Sequence, residues 1–79
     1  MNSQHLVLIA PSPLVERVIA AWQRILPEEV ILYHTTVVTA AWNGHTLAVF
    51  HADHPQYIDG LVEVIGGEIV NSSCRMTCF

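Results

Sequence analysis

The sequence predicts one α+β domain over residues 1–79 with the element order βαββαβ, and three observations support this. The chain is 52% hydrophobic and 13% charged, which suits one compact core, and its 79 residues are too few for two domains. Two segments have the three- and four-residue apolar spacing of amphipathic helices, and the segments around them are apolar or β-branched. The dipeptide Asn43-Gly44 separates two of the β-type segments and favours a tight hairpin turn.

The first strand and the first helix are predicted from the N-terminal third of the chain. Residues 6–10 form a short apolar run that suits a central strand, and Pro11 follows it. We expect Ser12 to cap a helix over residues 13–26, with Glu16 in its first turn, where the helix dipole favours an anion. The apolar stripe of this helix contains Leu14, Val15, Val18, Ile19, Trp22, Ile25 and Leu26.

The middle of the chain predicts a β-hairpin. Residues from Val30 to Trp42 are rich in β-branched and aromatic side chains, which favour a strand. With Asn43 and Gly44 as the two loop residues, the register of the hairpin is fixed. It pairs Trp42 with His45, Val38 with Val49, Val37 with Phe50, Thr36 with His51, and His34 with Asp53.

A second helix and a last strand complete the predicted order. The helix is expected to be capped by Asp53 or His54, to have Pro55 in its first turn and to end at Gly66-Gly67. Its stripe contains Ile58, Leu61, Val62 and Ile65. The strand is expected from about Glu68 to Phe79, with Cys74, Met76 and Cys78 as reduced, packed residues. This layout is ferredoxin-like, a four-stranded antiparallel sheet with two helices on one face.

Composition and motifs exclude several classes of function. Three basic against seven acidic side chains give a net charge of −4, so we expect no binding to nucleic acid. The apolar runs are far shorter than the roughly 20 residues of a membrane span, and the N-terminus has no cationic signal segment. We therefore expect a cytoplasmic protein without membrane contact. No phosphate-binding loop or nucleophile with a matching base is found, so we do not expect an enzyme.

Most of the histidines are predicted to gather at one edge of the sheet. In the βαββαβ order, the first and second strands start there, and the third and fourth strands end there. The candidate metal ligands at this edge are His5, His34, His51, Asp53 and His54. Imidazoles with a carboxylate suit zinc or another divalent transition metal. Two alternatives stay open: a cluster that makes stability or assembly depend on pH, and ordinary polar residues, since no local metal-binding spacing occurs.

The helix-free face of the predicted sheet carries no charged residue. If Leu32, Val38, Leu47 and Val49 point towards the helices, the opposite face forms a neutral, partly aromatic surface. Its candidate interaction residues are Ile31, Tyr33, Val37, Thr39, Ala48 and Phe50. A contiguous apolar patch of several hundred Å² usually marks an interface. With the opposite alternation of side chains, the outer face instead shows His34, Thr36 and His51.

These features favour a small non-enzymatic interaction domain of the adaptor, chaperone or inhibitor type, without a cofactor. It would act through its open sheet face or an edge strand, on a protein partner or on a second copy as a homodimer. Two alternatives remain. One is a small metal-binding or pH-sensing domain that uses the histidine cluster, and the other is a phage or mobile-element inhibitor of a host protein complex.

Overall fold

The computed structural model describes residues 4–68 and, for the backbone alone, residues 75–78. The elements are β1 (Gln4–Pro11), α1 (Ser12–Ile25), α2 (Glu28–Tyr33), β2 (Thr35–Trp42), β3 (His45–Ala52), α3 (Pro55–Glu68) and β4 (Arg75–Cys78). The sheet has the order β2-β3-β1-β4 with antiparallel neighbours, and its three long strands are joined at one edge by the four-residue β4. The α+β content agrees with the predicted ferredoxin-like class, but the described residues form three helices rather than two.

The hairpin between β2 and β3 confirms the predicted register. Asn43 and Gly44 have φ values of 51° and 78°, as a two-residue type I′ turn requires. Trp42 consequently faces His45, and the pairing continues to Thr35 opposite Ala52. Strand β1 lies antiparallel to β3 over its whole length, so the same register aligns side chains across three strands.

Helix α2 replaces the beginning of the predicted second strand. Residues 27–29 read Pro-Glu-Glu, and both glutamates lie in the first turn, where the helix dipole favours negative charge. The backbone N–H of His34 donates to the carbonyl of Val30 at 2.9 Å and closes the helix. Proline followed by acidic residues is a helix-start pattern, and here it outweighs the β-branched character of the residues that follow.

The start of α1 also differs from the prediction. Ser12 is the first residue of the helix, and no side chain caps the helix. Its hydroxyl instead shares a hydrogen bond with the hydroxyl of Thr46 at 2.7 Å, and its N–H donates to the carbonyl of Gly44 at 2.9 Å. Because the helix begins at Ser12, Glu16 lies beyond the first turn. These contacts fasten the start of α1 to the β2–β3 hairpin.

The C-terminal boundaries differ as well. Helix α3 starts at Pro55 as predicted, but it continues through Gly66-Gly67 to Glu68, whose carboxylate lies 3.6 Å from Nε of Arg17. Of the strand predicted from Glu68 to Phe79, Glu68 belongs to α3, and the described residues of β4 pair with β1. The predictions for residues 69–74 and 79, and for the packing of Cys74, Met76 and Cys78, lie outside the described residues and side chains. In the described part of the chain, no helix has the length and apolarity to cross a membrane.

The core lies between the sheet and the two long helices, α1 and α3. The sheet contributes Leu6, Leu8, Ala10, Ala48, Phe50 and Ala52, and the helices contribute Leu14, Val15, Val18, Trp22, Ile58, Leu61 and Ile65. The rings of Trp22 and Phe50 meet edge to face with centroids 5.4 Å apart, and the Trp22 indole N–H donates to the carbonyl of Tyr57 at 3.0 Å. The three alanines on the sheet leave room for bulky helix side chains.

Candidate functional site

The helix-free side of the sheet, called the outer face below, is built from one register. Its cross-strand rows over β1, β3 and β2 are His5, His51 and Thr36; Val7, Val49 and Val38; Ile9, Leu47 and Ala40; and Pro11, His45 and Trp42. At the edge of the sheet, the backbone of β4 pairs Thr77 with Val7 and Arg75 with Ile9. Over the three long strands, these rows contain no aspartate, glutamate, lysine or arginine.

The predicted alternation of side chains is inverted in the structure. Four residues predicted for the interaction face lie on the helix side of the sheet: Val37, Thr39, Ala48 and Phe50. The other two belong to α2: Ile31 and Tyr33. Both faces of these strands are apolar, so the sequence pattern does not select the covered one. The opposite alternation, which the sequence analysis kept open, correctly places Thr36 and His51 on the outer face. The third residue of that prediction, His34, lies instead at the end of α2.

Large apolar side chains on the outer face are open to solvent. Val38 is 67% exposed and Trp42 80%, while Ile9 and Leu47 are each exposed by about two fifths. Eight-residue strands are about 26 Å long, and three of them at about 4.8 Å spacing cover roughly 400 Å² in projection. The two wholly aliphatic rows make up about half of this area, and exposed apolar patches of a few hundred Å² are often functional.

The negative charge of the protein lies away from this face. All seven acidic residues lie on helices or in the loop after β3: Glu16, Glu28, Glu29, Asp53, Asp59, Glu63 and Glu68. The acidic residues are therefore confined to the helices and one loop, and the three long strands of the outer face are neutral.

A second candidate site, the His34–Asp53–His54 cluster, lies where α2 leads into β2 and β3 leads into α3. The N–H of Asp53 donates to the carbonyl of His34 at 3.1 Å, which holds the two connections together. Nδ1 of His34 donates to Oδ2 of Asp53 at 2.8 Å, and Nε2 of His54 lies 3.8 Å from Oδ1. One ligand atom from each of the three side chains lies within 4.8 Å of the others.

The carboxylate of Asp53 is incompletely hydrogen-bonded in this cluster. The hydrogen bond from His34 lowers the pKa of the Asp53 carboxyl below its ordinary value, against the opposing effect of burial. Oδ1 is enclosed and accepts no hydrogen bond from any described residue. The ring of Tyr57 lies beside both imidazoles, with centroids 6.3 Å from His34 and 5.7 Å from His54.

The five predicted metal ligands form two groups rather than one. His5 and His51 face each other on the outer face with ring centroids 4.5 Å apart. Within the described residues, only the His34–Asp53–His54 cluster brings three ligand atoms close enough for one ion. Sequence reasoning missed Tyr57, although its position three residues after His54, about one helical turn, is a usable signal.

Comparison with known proteins shows the fold and no family. No protein-family model matches the sequence. No curated protein matches it either. Among solved structures, the de novo designed protein Ferredog-Diesel superposes with a TM-score of 0.70 at 8% identity, over 99% of this chain and 84% of that one.

Two further structures have the same architecture. A protein from Thermus thermophilus described as a PII-like signalling protein has a TM-score of 0.64 at 13% identity, over 100% of this chain and 88% of that one. The designed protein Foldit4 has a TM-score of 0.58 at 18% identity, over 99% and 97%. At such identities the likeness establishes the ferredoxin-like α+β fold alone.

Proposed function

We propose that this protein is a non-enzymatic interaction domain that forms a homodimer by packing two outer faces together. The observation that carries the proposal is the pair of aliphatic rows in the middle of a sheet face that no described helix covers. Val7, Val49 and Val38 form one row, and Ile9, Leu47 and Ala40 form the other. Aliphatic side chains in such rows are typical of the interior between two stacked sheets, about 10 Å apart.

Charge favours a second copy as the occupant of this face. A protein with a net charge of −4 repels its own copies wherever acidic residues meet. On the outer face, the three long strands carry no carboxylate. Two copies can therefore meet there without bringing like charges together. A strongly charged partner would find no complementary charge on these rows.

The available area also suits a dimer, although a weak one. Protruding side chains make the accessible area larger than the projection, so two outer faces bury on the order of 1,000 Å² in total. This is the lower limit for a specific interface, and we expect a dissociation constant on the order of micromolar. An interface of this strength would allow the dimer to exchange with monomers, as suits an adaptor, chaperone or inhibitor.

The edge of β2 offers a competing mode of association. Strand β2 lies at one side of the sheet, and unpaired backbone groups at such an edge can pair with another chain. In a two-residue hairpin, Trp42 and His45 form a hydrogen-bonded pair, so the N–H of Thr39 points to the free edge. A proline at residue 39 therefore blocks edge pairing without removing a β2–β3 hydrogen bond.

The test is sedimentation velocity over a concentration series with the double variant Val38→Lys, Leu47→Lys. We expect the wild type to change from monomer to dimer as concentration rises, and the variant to associate about a hundredfold more weakly or not at all, because it buries unpaired ammonium groups. The matched control is Leu32→Lys, since Leu32 on α2 is 65% exposed, close to the 67% of Val38, but lies off the outer face. This control should dimerise like the wild type.

Two outcomes would overturn the proposal. A wild type that stays monomeric at every concentration removes self-association altogether, and capture of an unrelated protein by the same face would then identify a different occupant. Loss of the dimer in Thr39→Pro, with the lysine double variant unaffected, would place the contact at the β2 edge instead of on the outer face.

A further inference from the structure

We propose that the His34–Asp53–His54 cluster is a binding site for one divalent transition-metal ion of the zinc type. The three side chains come from two connections that are far apart in sequence, and the backbone hydrogen bond from Asp53 to His34 keeps them together. This site is separate from the outer face and does not depend on the dimer.

The spacing of the ligand atoms is close to that of a metal site. At metal–ligand bonds of about 2.0–2.1 Å, ligand atoms in a tetrahedral zinc site lie roughly 3.3 Å apart. Here one candidate atom from each side chain lies within 4.8 Å of the others, and His54 Nε2 is 3.8 Å from the enclosed Oδ1 of Asp53. Side-chain rotations that move these atoms by about 1 Å therefore bring all three onto one ion. All three side chains are partly exposed, which leaves room for rotations of this size on their solvent side.

The donor set selects the class of metal. Two imidazole nitrogens and one carboxylate oxygen suit zinc, copper or nickel, whereas magnesium and calcium prefer oxygen ligands throughout. Binding replaces the hydrogen bond between His34 and Asp53 with bonds to the ion, and the imidazole nitrogen that becomes a ligand releases any proton it carries to solvent. Three protein ligands leave a fourth position for water.

The hydrogen bonding of Asp53 is not completed by an ion pair with His34, because one carboxylate oxygen has no hydrogen-bond donor among the described residues. A hydrogen bond between His34 and Asp53 satisfies Oδ2, yet Oδ1 stays enclosed without a donor from the described residues. A bound cation next to Oδ1 supplies a partner at bonding distance, which His54 Nε2 at 3.8 Å does not. The ring of Tyr57 lies beside both imidazoles, with centroids 6.3 Å from His34 and 5.7 Å from His54.

The test is isothermal titration of the full chain with Zn²⁺ and, in parallel, with Mg²⁺, followed by visible absorption with Co²⁺. We expect saturable binding of one Zn²⁺ per chain, no binding of Mg²⁺ and a Co²⁺ spectrum typical of nitrogen and oxygen ligands. The variant His54→Gln should bind Zn²⁺ at least about tenfold more weakly, since even the loss of an outer-shell partner costs this much. It keeps the His34–Asp53 hydrogen bond, so its fold should be intact, as circular dichroism can verify.

Two control variants separate this site from the others. The double variant His5→Gln, His51→Gln removes the histidine pair on the outer face and should bind Zn²⁺ like the wild type. The variant Val38→Lys, Leu47→Lys, which should be monomeric, should also bind one Zn²⁺ per chain. The Zn²⁺ titration therefore tests the metal site whether or not the protein dimerises. Absence of saturable Zn²⁺ binding, or loss of binding in the His5, His51 variant with His54→Gln unaffected, would overturn the assignment.

Discussion

The two faces of the sheet are built from similar apolar side chains, but one face is covered by helices and the other is exposed to solvent. On the helix side, Leu6, Leu8 and Phe50 are fully buried under α1 and α3. On the outer face, Ile9 and Val38 are exposed on neighbouring rows. The difference is not one of hydrophobicity, because both faces are apolar. Packing determines which face is covered. The bulky side chains of α1 and α3 fit against the face on which β1 and β3 carry alanines.

The largest expected effect comes from breaking the covered face. Phe50→Ala removes a fully buried ring that contacts Trp22, and such a change costs about 3–5 kcal/mol. A domain of 79 residues has roughly 4–12 kcal/mol of stability, so the variant should be largely unfolded or melt far below the wild type. Urea unfolding followed by circular dichroism measures this loss. The outer-face counterpart Leu47→Ala should cost less than about 1.5 kcal/mol, and equal losses in the two variants would contradict the assignment of faces.

A smaller effect is expected at the turn that sets the alternation of both faces. Gly44 has a φ of 78° and open space around it, so Gly44→Ala strains the backbone without a clash and should cost about 1–2 kcal/mol. The matched control is Gly66→Ala, which also meets no atom within 4 Å but lies in α3, where alanine is favoured by about 0.5–1 kcal/mol. Thermal melts of the two variants should shift in opposite directions. A shared direction would argue against the type I′ turn.

Charge on the outer face should leave the stability of the monomer nearly unchanged. Val38 is 67% exposed, so Val38→Lys should change the free energy of unfolding by no more than about 0.5 kcal/mol when measured at a concentration below dimer formation. The same substitution weakens association, as described above. A large destabilisation of the monomer would mean that Val38 belongs to the core, and the contrast between the two faces would fail.

The smallest expected effect concerns the end of the sheet, is present at neutral pH and disappears in acid. Because the hydrogen bond from His34 lowers the pKa of the Asp53 carboxyl, this contact stabilises the folded state above the ordinary carboxyl pKa of about 3.9. The contribution is lost as the pH falls through the lowered folded value. Asp53→Asn should therefore be less stable than the wild type at neutral pH and lose this difference in strong acid. Urea unfolding at both pH values tests this, and a difference that persists unchanged in acid would contradict it.

Local signals made a large part of the fold predictable. The Asn43-Gly44 turn predicts the β2–β3 register. That register in turn predicts that His34 lies opposite Asp53, and the two side chains are hydrogen-bonded. The apolar spacing located α1 and α3 to within a few residues. Composition does not predict helix α2, because the residues after Pro27 combine an acidic helix-type first turn with β-branched residues that favour a strand.

The outer face could not be predicted in the same way. Which side of an apolar strand is covered depends on helices that are distant in sequence, so Phe50 and Ala48 were assigned to the wrong side. The split of the histidines has the same origin. His5 and His51 follow the alternation of the strands onto the outer face, whereas His34 and His54 lie outside the strands and turn towards Asp53.

The fluorescence of Trp42 tests the central claim most directly. Trp42 is 80% exposed in the last row of the outer face, whereas the other tryptophan, Trp22, is buried, so the difference between wild type and Trp42→Phe isolates the outer-face signal. As protein concentration rises from low micromolar to submillimolar, quenching of Trp42 by acrylamide should decrease and its emission should shift to shorter wavelength. A Trp42 that stays equally quenchable while the protein dimerises, or a protein that never dimerises, would contradict packing of two outer faces.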